Sequence, residues 1–215
     1  MTLLTPSIRY DHNGISFFRV LPVYVLFFED EDGDPCFVTE RTEQGQAVVC
    51  FLSPFDAVFE AAHAVTRGRF YHVLPASEVD WRVFRDADQL GFIADIHLGW
   101  PSIDGNILLR PSGRLGGVCR LMHHWARDPL MFEVDPIILA EYSRIRELAG
   151  LFAWEETHRE VLNWDSHRLY QVAERAFGSI ELLRRNATGC KQVALFDPEF
   201  GQWHFVPFTE IPQRR

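Results

Sequence analysis

The chain has no apolar run long enough to cross a membrane: its longest candidate, Val20 to Phe28, falls well short of the roughly 20 residues a spanning helix needs. The opening MTLLTPSIRYDHN lacks a basic segment followed by an apolar core, so no secretory leader is expected and the address read from the sequence is cytoplasmic. Lysine is almost missing, since Lys191 is the one lysine among 21 basic residues. That bias points to a GC-rich bacterial coding sequence and answers no physical demand. Cys36, Cys50, Cys119 and Cys190 lie far apart without C-x-x-C spacing, which argues against a zinc ribbon or a disulfide framework and leaves buried thiols.

Positive charge is also in short supply. Acidic residues outnumber basic ones 30 to 21, for a net charge of −9. The imbalance sits in the first 100 residues, which carry 15 acidic and 7 basic side chains. Such a surface repels a phosphate backbone, so nucleic acid is not an expected partner and a basic protein is.

The familiar catalytic and metal-binding patterns are missing too. There is no H-E-x-x-H, no G-x-S-x-G elbow and no G-K-[ST] phosphate loop. His123 and His124 are adjacent, so their side chains diverge and do not form a ligand pair. Glu155 to His158 matches Glu-x-x-His once, where a di-iron bundle needs it twice. That segment, with Glu156 and Glu160, reads as a solvated helix face. Asp165-Ser166-His167 places triad residue types in a row, but contiguous side chains cannot converge as a relay, and a helix cap explains them better. No cofactor and no metal are therefore expected. Catalysis would require a histidine and a carboxylate brought together from distant parts of the chain, as in a hydrolase-type site.

What the sequence does contain is a regular α+β pattern. Phe17 to Phe28, Pro35 to Glu40 and Gln46 to Leu52 alternate as strands around the turns Asp32-Gly33 and Gln44-Gly45. Ser53-Pro54 caps a helix that Gly68 can end, and Ser77 caps a second over 78–89. Strands are expected near Phe70 to Leu74 and Phe92 to Leu98. The glycine-rich stretch 99–117 reads as an irregular connection, where a single domain over 1–215 could subdivide. Val118 to Ala126 is ambiguous. Asp135-Pro136 opens a helix to Leu148, followed by helices over Phe152 to Leu162 and His167 to Arg185 and a closing hairpin, Gln192 to Phe196 with Gln202 to Phe208. The expected fold is α+β: a mostly antiparallel sheet flanked by helices, a helix-rich C-terminal part and a closing β-hairpin.

One stretch stands out. Glu29, Asp30, Glu31, Asp32 and Asp34 surround Gly33 at a turn tip. Aligned as a calcium loop with Gly33 at the sixth position, it puts Phe28 first and Thr39 twelfth, so two ligands are missing. An acidic tip docking a basic partner is the functional reading, with anchors drawn from the 18 phenylalanines and 6 tryptophans. The pattern from Pro22 to Ala62, a strand, an acidic turn, two strands and FLSPFDAVFEA, resembles the N-terminal part of SseB-like bacterial domains. As a type (acidic, aromatic-rich, motif-poor, α+β) the chain is similar to immunity proteins that neutralise secreted antibacterial toxins by protein-protein binding. The resemblance implies a binder in the bacterial cytoplasm and carries over no site residue.

Overall fold

A computed structural model describes residues 23–78, 91–125, 134–184 and 189–210. Residues 79–89 of the expected second helix, the start of the first strand and all of 126–133 lie outside them. Within them run the strands β1 (Tyr24–Glu29), β2 (Pro35–Phe37), β3 (Thr39–Thr42), β4 (Gly45–Phe51), β5 (His72–Pro75), β6 (Gly91–Ile103), β7 (Asn106–Leu109), β8 (Val118–Trp125), β9 (Leu182–Arg184), β10 (Gln192–Asp197) and β11 (Gln202–Pro207), and the helices α1 (Pro54–Val65), α2 (Pro136–Leu148), α3 (Trp154–Leu162) and α4 (Ser166–Gly178).

The strands form one connected, mostly antiparallel sheet, with β6 as its spine. Two pairings are parallel: β4 with β6, from Ala47 opposite Ile93 to Phe51 opposite His97, and β7 with β9. The first half of β6 also pairs antiparallel with β8, and its second half pairs with β10 and β7. The alternation of apolar residues sorts the two faces. Val25, Cys50, Ile96 and Leu195 face α2, which contributes Ile138, Tyr142 and Ile145. Leu26, Phe51, Ala194 and Phe196 face α1 and α4. Because both faces are covered, the central strands read as nearly continuous apolar runs.

The caps read from sequence are in place. Ser53 Oγ accepts from Asp56 N at 3.1 Å, with Pro54 in the first helical turn. Asp135 and Asp165 likewise accept from Ile137 N and Arg168 N, both at 2.7 Å. Phe59 of α1 then stacks on Phe177 of α4 with ring centroids 4.0 Å apart, binding the two helices over the same sheet face.

Three expectations are corrected. Pro35 to Glu40 is not one strand: Val38 N bonds Leu26 O and Val49 N bonds Val38 O, so the chain changes partner at Val38. The stretch 99–117 is regular over half its length. There β6 continues to Ile103, turns through Asp104 and Gly105 at φ 49° and 78°, and returns as β7, leaving 110–117 as a loop. The last helix stops at Gly178 rather than Arg185. Its terminal Ala176 carbonyl accepts from Ser179 N, Ser179 Oγ and Trp203 Nε1. Leu182 to Arg184 then pair with β7 as a strand.

A break in register between His97 and Gly99 reverses the alternation in β6. Ala94, Ile96 and Leu98 belong to one core, and Trp100 to the other. At this point β10 lies so close that a Cβ on Gly99 would stand 2.4 Å from Val193 Cγ1 and 3.1 Å from Ala194 O. Gly99→Val should therefore cost at least ~1–3 kcal/mol, the scale of overpacking. Gly178→Ala meets nothing within 4 Å and should be neutral or stabilising by up to about 1 kcal/mol. Urea midpoints check both, with a fall expected for Gly99→Val and none for Gly178→Ala.

Candidate functional site

The acidic tip is built by one of its own acids. Asp30 Oδ1 accepts from Asp32 N at 3.0 Å and Asp34 N at 2.9 Å, while Gly33 takes φ 84°. Asp30 is thus a turn-forming residue, held between two strands and committed to backbone amides. Glu29, Glu31, Asp32 and Asp34 are exposed. Among the described residues they have no ion-pair partner.

At the other end of β1 and β4 lies a cleft of about 120 Å³ between the α2–α3 turn and the β10–β11 turn. Each turn is shaped so that it projects a phenylalanine. After α2, Gly150 takes φ 81° and Leu151 N bonds back to Arg146 O at 2.8 Å, which turns Phe152 outward. Across the cleft, Asp197 Oδ1 accepts from Glu199 N and Phe200 N, and Gly201 closes the turn at φ 67°. Phe152 and Phe200 are 77% and 71% exposed. Thr157 Oγ1 reaches Glu199 across the gap at 3.4 Å.

The floor of the cleft is a buried polar chain. Arg146, 3% exposed, bonds Asp56 at 3.1 Å, and its guanidinium lies 4.4 Å from the centre of the Tyr142 ring. Tyr142 Oη and His158 Nε2 are 3.3 Å apart. His158 was expected on a solvated helix face and is instead 6% exposed, with the Trp154 ring edge-on to it. Glu156 and Glu160 do face solvent. Burial, with Arg146 adding to it, holds the imidazole well below its usual pKa, so it is neutral at pH 7. Arg146 Nε and His158 Nδ1 find no hydrogen-bond partner among the described residues.

A second, tighter cluster sits beneath α1. Asp95 and His97 alternate along β6 and so share a face, with Cys119 of β8 directly opposite His97. Glu60 of α1, Glu40 of β3, and Arg110 and Arg114 of the 110–117 loop complete a cavity of about 20 Å³, room for one water. Burial pushes His97 down to about 3 and the Cys119 thiol well above 9, with Asp95 pushing the thiol further. The cluster therefore holds a protonated thiol and a neutral imidazole at pH 7, not a thiolate–imidazolium pair. Motif reading missed it because its members come from separate stretches of the chain, β3, α1, β6, the 110–117 loop and β8. The available signal was Ala94-Asp-Ile-His97, polar residues alternating with apolar ones inside a buried strand.

The side chains of His123 and His124 lie outside the described residues. Among those residues, no three His, Cys, Asp or Glu side chains are grouped to hold a metal, and no helix is long and apolar enough to cross a membrane. Comparison with protein families, curated proteins and solved structures returned no match.

Glu60, buried on α1, titrates near neutrality. Burial raises it to about 7 from an ordinary 4.5, against the lowering pull of Arg114 and Arg110. Because its folded pKa is raised, its contribution to stability is complete below pH 4.5 and lost as pH rises through 7. The loss amounts to roughly 3 kcal/mol for a shift of this size. Glu60→Gln should flatten that decline, leaving the variant more stable than the parent at pH 8 and not at pH 5. Urea titrations at the two pH values read the difference.

Proposed function

We propose that the chain is a binding protein whose cleft between Phe152 and Phe200 anchors a basic partner protein. One observation carries this: two large aromatic side chains are held in solvent by tight turns, on opposite lips of the same cleft. Exposing them costs hydrophobic free energy that only a partner can recover, about 1.5–3 kcal/mol for each ring fully buried. Charge supports a basic partner, because Glu199 sits between the lips and the chain as a whole carries −9.

The acidic tip lies at the far end of β1, about 20 Å from the cleft by strand rise. A standard interface is broad enough to include both. In this reading Glu29, Glu31, Asp32 and Asp34 steer the approach, and the phenylalanines hold the complex. The narrower form we infer is a bacterial cytoplasmic immunity protein that neutralises a secreted toxin. It is supported by the concentration of acid in the first 100 residues and by the type resemblance.

The test begins with isolation of the partner on immobilised protein, then kinetics. Phe152→Ser with Phe200→Ser should weaken binding by about a hundredfold or more, mostly through faster dissociation. Replacing Glu29, Glu31, Asp32 and Asp34 with Ser or Asn should slow association at low salt and much less at high salt, without loss of thermal stability. A partner that binds the phenylalanine variant as tightly as the parent removes the cleft from the interface.

A second reading is a hydrolase-type enzyme, favoured by the convergence of Asp95, His97 and Cys119 on one sheet face. It requires turnover of an activated ester that His97→Ala abolishes in a folded variant.

A further inference from the structure

We infer that the turn from Arg110 to Arg114 is a binding site for a phosphate group carried by a small molecule, independent of the partner cleft. The turn is closed by Arg110 N to Arg114 O and Gly113 N to Arg110 O, both at 2.8 Å, with Gly113 at φ 78°. Four guanidinium groups gather on it. Arg110 and Arg114 belong to the turn itself. Arg67, in the turn that follows α1, donates to Ser112 O at 3.0 Å. Arg184 of β9 brings its Nη2 to 3.5 Å from where a Gly113 side chain would begin.

In a chain of net charge −9, this concentration of one sign runs against the average and stores repulsion. Two carboxylates offset part of it. Glu40 pairs with Arg110 and with Arg114, at 3.2 Å for the second. Glu60, buried below, is drawn by Arg114, Arg110 and Arg67. The four guanidiniums still have far more donors than the protein uses, since each offers five N–H groups. Holding the loop in place explains Arg110 and Arg114, which pair with Glu40 of β3, and Arg67, which donates to Ser112 O. It does not explain Arg184, which is exposed and has neither hydrogen bond nor ion pair among the described residues.

A dianion seated on the turn would accept from the spare donors of several arginines at once, the pairing for which guanidinium is best suited. The Ser112 hydroxyl is exposed at the same tip. The cavity beneath the turn, about 20 Å³, has room for one water only, so the site fits a phosphate group whose remainder stays in solvent. An extended nucleic acid would meet the surrounding negative charge and is not favoured.

The experiment titrates inorganic phosphate and, separately, glycerol 1-phosphate into the protein by calorimetry at low salt. Saturable binding of either probe is expected, weakened about tenfold by Arg184→Ser and about tenfold by Arg67→Ser, the effect of losing one charge-assisted contact. Arg144→Ser, on the helix covering the opposite sheet face, should leave binding unchanged. Binding of glycerol 1-phosphate at least as tight as that of inorganic phosphate supports a phosphomonoester ligand, whereas binding of inorganic phosphate alone overturns the small-molecule carrier. Arg184 makes no contact that folding needs, so its variant keeps the test valid even if Arg67→Ser unfolds. Absence of saturable binding below about 10 mM, or affinity unchanged in Arg184→Ser, overturns the proposal.

Discussion

The fold depends on the close approach of β10 to the backbone of β6 at Gly99. A sheet whose central strand must serve two cores cannot keep a strict two-residue alternation along its whole length. The register break between His97 and Gly99 resolves this by moving Trp100 to the face opposite Leu98. Without a side chain at Gly99, Val193 and Leu195 pack directly on the backbone. The first half of β6 then joins β4 and β8, and the second half joins β7 and β10. Segments far apart in sequence meet on one strand, and both clusters of buried polar groups flank this region.

Those clusters sit where helices from different faces must be fixed to one another. Asp56 belongs to α1 over one face and Arg146 to α2 over the other, and their bond ties the two layers together. A buried ion pair is seldom a net source of stability, because desolvation consumes most of the attraction. Its value here is geometric. Arg146 also lies over Tyr142, which in turn meets His158, so one guanidinium sets the relative positions of three helices. The same arrangement shapes the floor beneath Phe152 and Phe200. Site and scaffold therefore share their most constrained residues, and the exposed aromatics are held on turns whose geometry those residues determine.

Local chemistry was legible in the sequence, and long-range convergence was not. Ser53-Pro54, Asp135-Pro136 and Asp165 announced helix starts because a cap needs only neighbouring residues. The closing hairpin was legible for the same reason. Leu182 to Arg184 were misread as helix because an apolar stripe at helical spacing cannot show that β7 waits to pair with them. The split at Val38 was hidden likewise, since changing strand partner leaves no local mark. At the acidic tip, composition marked the turn but not the division of labour within it. Asp30 builds the turn and its neighbours do not. His158 shows the opposite error: polar neighbours suggested exposure, while Tyr142, brought in by the fold, and Trp154, one turn earlier on α3, bury it.

Charge and apolar surface are separated along the molecule, and that separation shapes how a partner could be held. Among the described residues the sheet is covered by helices on both faces. The turns carry different chemistries: carboxylates at the β1–β2 tip, guanidiniums at Arg110 to Arg114, and phenylalanine rings at Phe152 and Phe200. Exposed charges act over about a Debye length, ~8 Å at physiological salt, and their force fades with ionic strength. Aromatic contacts act only on touching but persist in salt. A partner meeting this surface would be oriented by the first and retained by the second, so selectivity in approach and lifetime of the complex can change independently. Such independence is possible because the turns are anchored on one rigid sheet. A substitution at one tip alters its own chemistry without moving the other.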